Sequence, residues 1–147
     1  MIGIVPYSDD LSHPADRRRL KVILEILGND YEIANINKKY DFVFLTQNAD
    51  LSLWVDYKLS PVIFDLCDAY LFQKKYTFRN IFHGIIGFFL NRFSKPYIFQ
   101  TLLLEKCCKK FEIIICSSEI QRKKIINLNA NVFSIPDLFE IKDQKPV

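Results

Sequence analysis

Short apolar runs in this sequence are followed by polar residues whose side chains bind substrates in many proteins. The run at residues 2–5 is followed by Ser8, and the run at residues 112–116 is followed by Ser117. Carboxylate, hydroxyl and imidazole groups all exchange hydrogen bonds with polar ligands. The sequence does not assign a catalytic base, and His13 is the one candidate for it. The candidate substrate-binding residues are Ser8, Asp9, His13, Asp65, Asp68, Ser117 and Ser118.

The most specific of these candidates are Asp65 and Asp68, which stand in the segment PVIFDLCD at residues 61–68. An aspartate at the end of a buried strand is costly unless its charge is paired. Two interpretations are therefore open for this pair. The carboxylates either pair with a loop N–H group or an arginine, or they contact a hydroxyl group of a ligand. The remaining candidates have structural alternatives as turn residues and helix caps.

A basic run, Arg17 to Arg19, falls near the start of a predicted helix that follows Pro14. The favoured interpretation is a solvated first turn. Basic side chains fit poorly with the helix dipole at that end, however, because the dipole there favours acidic groups. The misfit keeps an anionic ligand or partner open as the alternative.

Composition and missing motifs exclude several classes of protein. The formal charge is +3, too small to indicate nucleic-acid binding. No GxGxxG, P-loop, GxSxG or HExxH pattern occurs, and the chain has four glycines, so a dinucleotide-wrapping loop is not expected. The four cysteines form no CxxC pair and lie in apolar runs, which predicts buried free thiols and no metal site.

Apolar runs alternate with helical patterns along the chain. Runs that lack polar alternation suit strands covered on both faces of a sheet. The order predicts an α/β domain with a doubly wound, mostly parallel sheet and helices on both faces. The expected strands are residues 2–5, 31–34, 41–45, 61–65, 112–116 and 131–135, and the expected helices include 14–28, 49–57 and a helix from Ser117 or Ser118 to about Leu128.

The middle of the chain, residues 77–111, is rich in phenylalanine and predicts two helical segments. The first is apolar on more than one face, so it must be buried by the domain and a partner domain, or must touch a membrane. Basic flanks around apolar residues suit an interfacial helix on anionic headgroups. The residues expected to contact a membrane or partner are Phe82, Ile86, Phe89, Arg79 and Arg92.

Several segments, in their order along the chain, resemble the N-terminal, acceptor-side Rossmann-like domain of GT-B glycosyltransferases, in particular bacterial enzymes similar to glycosyltransferase family 4. Residues 111–124 (FEIIICSSEIQRKK) resemble the family's segment of strand, serine and helix. Residues 131–137 (NVFSIPD) resemble the strand that leads into the interdomain linker, and residues 61–68 resemble the central strand. The chain departs from the family where Tyr7 to Asp10 replace a glycine-rich loop and Leu138 replaces the final linker glycine.

The resemblance implies the acceptor-binding half of an enzyme that transfers a sugar from a nucleotide-sugar donor to a cell-surface polysaccharide or a lipid-linked acceptor. It implies a Rossmann-like domain at residues 1–137, with the interdomain linker or a truncated tail at 138–147. The nucleotide sugar would bind to a C-terminal domain, in cis or in trans, so these residues alone would hold no cofactor and would be inactive. Two alternatives are a non-enzymatic Rossmann-like domain that binds a protein or a membrane surface, and a small nucleotide-binding enzyme of another α/β family.

The predicted location is the cytoplasm, with peripheral contact on the inner face of the membrane as an option. The first residues lack the basic leader and apolar core of a secretory signal. No apolar run reaches the roughly 20 residues that span a bilayer.

Overall fold

A computed structural model describes residues 1–28, 30–67 and 100–136. Its parallel strands are short, and those in the middle of the sheet are mostly apolar, as expected for strands buried on both faces. The strands are β1 (Ile2–Val5), β2 (Tyr31–Ile33), β3 (Val43–Thr46), β4 (Val62–Leu66), β5 (Ile113–Cys116) and β6 (Val132–Ser134). The helices are a π-helical segment (Asp16–Leu20) that runs directly into α1 (Lys21–Leu27), then α2 (Leu51–Trp54), α3 (Gln100–Lys110) and α4 (Glu119–Ile125).

The strands form one six-stranded sheet in the order β2-β1-β3-β4-β5-β6, and every neighbouring pair is parallel. The predicted α/β fold with a parallel sheet is therefore confirmed. The chain turns outward from β1 to β2 and then crosses back over β1 to reach β3. This reversal creates a switch point between the carboxyl ends of β1 and β3, which is where open parallel sheets bind ligands.

Helices cover the two faces of the sheet unequally. On the first face, α2, α3 and α4 bury the larger apolar cluster, which includes Phe64 and Ile114. On the second face, the π-helical segment and α1 place Leu20 and Leu24 against Ile4 and Phe44. The described helices on the second face thus cover mainly the β1–β3 half, because they all come from the β1–β2 connection.

The connection from β2 to β3 contains no helix, and the Tyr40 side chain of this connection is buried in the core. Its ring lies against Gly3, where an added Cβ would come within 2.9 Å of the Tyr40 Cδ2 atom. The Tyr40 hydroxyl accepts a hydrogen bond from the Asn35 amide and donates one to Glu32, each at 2.8–2.9 Å. Glycine at position 3 is what allows the ring to approach the strand.

Several predicted element boundaries need correction. The helix expected at residues 49–57 is only Leu51–Trp54, because the Asp50 side chain caps it at Ser52 and the chain then turns toward Pro61. The helix expected to reach Leu128 ends at Ile125, since the following residues form a turn with Leu128 bonded to the Ile125 carbonyl. Strands differ from the predicted runs by one or two residues at their ends.

Some predictions fall outside the described residues. They concern Asp68, the phenylalanine-rich segment with Arg79, Phe82, Ile86, Phe89 and Arg92, and the boundary and tail from residue 137 onward. Within the described ranges, no helix has the length and apolar character needed to cross a membrane.

Candidate functional site

The described candidate residues all lie along one edge of the sheet, where the strands have their carboxyl ends. The loop after β1 carries Ser8, Asp9 and His13, Asp65 lies near the end of β4, and Ser117 follows β5. At the switch point itself, the Thr46 hydroxyl of β3 donates to the Val5 carbonyl of β1 at 2.8 Å. A parallel arrangement of all six strands is the reason these separate segments share an edge.

The loop after β1 is organised by a carboxylate that sequence reasoning did not single out, Asp16. It is fully buried and accepts hydrogen bonds from the Tyr7 and Ser8 amides, each at 2.9 Å. The Ser8 hydroxyl also lies 3.3 Å from it. In dinucleotide-binding folds, amides at this position hold a phosphate at the helix N-terminus. Here the protein's own carboxylate takes that place, so these two amides are occupied before any anionic ligand arrives.

His13 is exposed on the outside of this loop and stacks on Tyr7, with ring centroids 4.8 Å apart and planes 12° apart. Its Nδ1 atom accepts a hydrogen bond from the Ala15 amide at 3.2 Å. A neutral imidazole with an accepting Nδ1 carries its proton on Nε2. The Nδ1 atom is thus occupied within the loop, and Nε2 is the ring nitrogen left to face a ligand.

The same loop contains the strained residue Leu11, whose φ is 56°. Left-handed backbone is unfavourable for a bulky residue and persists only where surrounding contacts enforce it. The Leu11 amide donates to the Ser8 carbonyl at 2.9 Å, and its side chain is buried against the second face. Hydrogen bonds from Ser12 hold the pKa of Asp10 below its usual value, so Asp10 stays charged at neutral pH. The loop is thus a fixed structure with a negative outer surface.

Asp65 is held by Arg19 in a buried ion pair. The Arg19 Nη2 atom lies 2.6 Å from Asp65 Oδ1, the Nε atom lies 2.8 Å from Oδ2, and both residues are at most 6% exposed. Arg19 Nη1 also donates to the Ile135 carbonyl at 2.8 Å, and Cys67 Sγ lies 3.3 Å from Asp65 Oδ2. The interpretation of the whole basic run as a solvated turn is wrong for Arg19, because the helix turns this side chain into the sheet. Of the two interpretations that the sequence left open for Asp65, the ion pair with Arg19 corresponds to pairing inside the protein.

Ser117 and Ser118 position helix α4 through Gln121. The Ser118 hydroxyl caps the helix by accepting from the Gln121 amide at 3.3 Å. The Gln121 side-chain oxygen accepts from the Ser117 amide at 3.0 Å, while its Nε2 atom donates to the Cys67 carbonyl at 3.3 Å. The Ser117 hydroxyl lies 2.9 Å from the same Cys67 carbonyl. Gln121 thereby ties the ends of β4 and β5 together, a role that its position inside a helix did not reveal.

The groups that face solvent around the switch point include both charged and neutral side chains. Asp9, His13 and Asn48 are exposed, and Tyr7 is half-buried. The Asn48 side-chain amide donates to the Tyr7 carbonyl at 3.2 Å, which links the loops after β1 and β3. The resulting surface offers a carboxylate, an amide, an imidazole N–H and aromatic faces to a ligand.

The buried cysteines supply no nucleophile, whereas Cys67 is half-buried and lies at this edge beside Asp65. All four are free, and Cys107, Cys108 and Cys116 are buried. Burial raises the pKa of Cys108 to about 12, and it raises the pKa values of Cys107 and Cys116 as well. Thiols of this kind are not ionised at neutral pH and are inert. No group of three or more metal-ligating side chains occurs among the described residues.

Comparison of the chain with protein-family models, curated protein sequences and solved structures found no match.

Proposed function

We propose that this domain is the acceptor-binding half of a GT-B glycosyltransferase. It would hold a polysaccharide or lipid-linked acceptor at the switch point while a donor-binding domain, in the same or another polypeptide, presents a nucleotide sugar. The support is the resemblance of residues 61–68, 111–124 and 131–137, together with a parallel sheet whose polar loops share one edge.

The observation that carries the proposal is Asp16. Its carboxylate uses the Tyr7 and Ser8 amides that would otherwise bind a phosphate. A nucleotide is therefore disfavoured at this switch point, whereas a neutral ligand rich in hydroxyl groups meets no repulsion. Such a ligand matches an acceptor glycan and fits a division of labour in which the other domain binds the nucleotide.

The exposed groups at the switch point provide the contacts to such a ligand. The Asp9 carboxylate accepts hydrogen bonds from hydroxyl groups, and the His13 Nε2–H and the Asn48 side chain provide further polar contacts. The flat Tyr7–His13 stack offers an apolar surface beside them. The other candidates support these groups indirectly. The contacts described above hold the strand ends and the start of α4 in place through Asp65, Ser117 and Ser118.

The test is NMR titration of the ¹⁵N-labelled chain with a panel of neutral oligosaccharides and, separately, with uridine diphosphate. We expect oligosaccharides to shift the amides of Tyr7, Asp9 and Asn48, and uridine diphosphate to leave them unchanged. Asp9→Ala with His13→Ala should weaken the response about tenfold, which is the loss of about 1.4 kcal/mol of binding.

The matched control is Glu25→Gln, which removes an exposed carboxylate from α1 without touching the switch point. It should bind like the wild type. Saturable binding of uridine diphosphate at these amides, or no response to any oligosaccharide, would remove the proposal.

The second face of the sheet favours one other candidate, a domain that binds another protein. There Phe133 is 55% exposed and Ile135 is 40% exposed, beside half-buried Ile63 and Ile113. Contiguous exposed apolar side chains commonly mark an interface. Two results together would favour this candidate over the transferase half. Oligosaccharides would cause no NMR shifts at the switch point, and the variant Phe133→Ser/Ile135→Ser would lose the binding of a hydrophobic dye.

A further inference from the structure

A cleft of about 570 Å³ opens at the opposite edge of the sheet, where the strands begin. It lies between the connection from α2 to β4 and the connection from α3 to β5, with Lys39 of the β2–β3 connection at its side. Small-molecule sites commonly have volumes between about 300 and 1,000 Å³. The central strands β3 and β4 are four and five residues long, about 13–17 Å, so this cleft is distinct from the switch point.

The charges around the cleft are mostly positive. Lys39, Lys58 and Lys110 line it, against a single glutamate, Glu112. The Glu112 carboxylate accepts a hydrogen bond from the Val62 amide at 2.6 Å, so it is committed to the start of β4. Lys110 is directed to the Val55 carbonyl and to Asp56, each at 3.1 Å. Within the described part of the chain, the ammonium groups of Lys39 and Lys58 have no hydrogen-bond or ion-pair partner.

The cleft walls are fixed before any ligand arrives. The Tyr57 hydroxyl donates to the Lys38 carbonyl at 2.7 Å and lies 2.9 Å from the Ser60 hydroxyl. The Ser60 hydroxyl in turn accepts a hydrogen bond from the Tyr40 backbone amide at 2.7 Å. This bond connects the cleft wall to the residue whose ring is buried against β1. A preformed wall lowers the entropic cost of binding. Leu59, 47% exposed, adds an apolar surface beside the lysines.

The geometry points to a binding site for a phosphate-bearing ligand in this cleft, held by Lys39 and Lys58 with Lys110 behind them. Lysine ammonium groups bind phosphate as point charges, without the forked geometry that arginine provides. The phosphate belongs either to a small soluble compound or to an anionic lipid headgroup. The site needs neither the transferase activity nor the glycan contacts proposed for the other edge.

The first experiment titrates the ¹⁵N-labelled chain with inorganic phosphate and follows the amides of Leu59, Ser60 and Phe111. We expect saturable shifts there and none at the switch point. Lys39→Ala/Lys58→Ala should weaken binding about tenfold, because two cationic contacts are lost. The control Arg17→Ala/Lys123→Ala removes the same charge from exposed positions elsewhere and should stay within about twofold of wild type.

An equal loss in both double variants would show that only net charge matters and would overturn the proposal. So would the absence of saturable shifts at tens of millimolar phosphate. The two ligand sources separate in a vesicle assay that compares phosphatidylcholine with and without phosphatidylglycerol. Phosphatidylglycerol-dependent binding that is lost only in the cleft variant supports a headgroup. Saturable phosphate binding without vesicle recovery supports a soluble phosphorylated compound.

Discussion

The two edges of the sheet use polar residues in opposite ways. At the carboxyl edge, Asp16, Asp65 and Arg19 are buried and saturated by partners inside the domain. At the amino edge and along edge strand β2, charged groups such as Lys38 and Glu32 pair on the surface. Buried pairs are costly to break from one side, whereas exposed pairs contribute little. The carboxyl edge is therefore a rigid support for ligand-facing groups, whereas the amino edge also carries the exposed lysines Lys39 and Lys58.

The largest effect should come from Asp65→Ala, which leaves the Arg19 guanidinium buried without its carboxylate. We expect a loss of about 3–5 kcal/mol in the free energy of unfolding, measured with urea. The double variant Arg19→Met/Asp65→Leu removes both charges and should recover most of that loss. A cost below about 1 kcal/mol for the single variant would mean that water or another group compensates the arginine, and the contrast between the edges would fail.

The next effect concerns the loop after β1. Asp16→Ala removes the acceptor of the Tyr7 and Ser8 amides and should cost about 2–3 kcal/mol, because hydrogen bonds to a charged group are lost. The control Asp9→Ala, at an exposed position in the same loop, should change stability by less than about 0.5 kcal/mol. Equal costs for the two variants would show that loop charge, rather than burial, sets the stability.

A smaller effect is expected at the start of α4. Ser118→Ala removes the helix cap and should cost about 1 kcal/mol in chemical unfolding, while Ser118→Asp should keep the cap. Lys123→Ala, an exposed change in the same helix, serves as the control. If Ser118→Ala left the free energy of unfolding unchanged, Ser117 and Gln121 alone would hold the start of α4 at the end of β5.

The smallest effect concerns the exposed pair on edge strand β2. A hydrogen bond from Lys38, and a weaker one from the Tyr40 hydroxyl, hold the pKa of Glu32 below its usual value. A lowered folded-state pKa stabilises the fold above the ordinary pKa, and that contribution is lost as the pH falls through the folded-state value. In an NMR titration, Lys38→Ala should raise the pKa of Glu32, and Lys39→Ala should not. An unchanged value in Lys38→Ala would show that Tyr40 alone sets it.

The sequence by itself determined the architecture. Runs such as residues 2–5 and 112–116 lack polar alternation, which only strands buried on both faces tolerate, and intervening helical patterns require parallel connections. From this followed the shared edge of Ser8, Asp65 and Ser117. The ends of helices α2 and α4 did not follow from the sequence, because they depend on caps and turns rather than on periodicity.

Only the tertiary structure decided the roles of the polar groups. Arg19 and Asp65 lie 46 positions apart in the sequence. Their pairing depends on which side of the π-helical segment faces β4. Asp16 and Gln121 become structural for the same reason, since each finds its partner across a loop or a neighbouring strand. The amino-edge cleft joins three connections that are distant in sequence. Periodicity fixes which residues are buried together, but the partner of a buried charge is set by geometry that no local pattern contains.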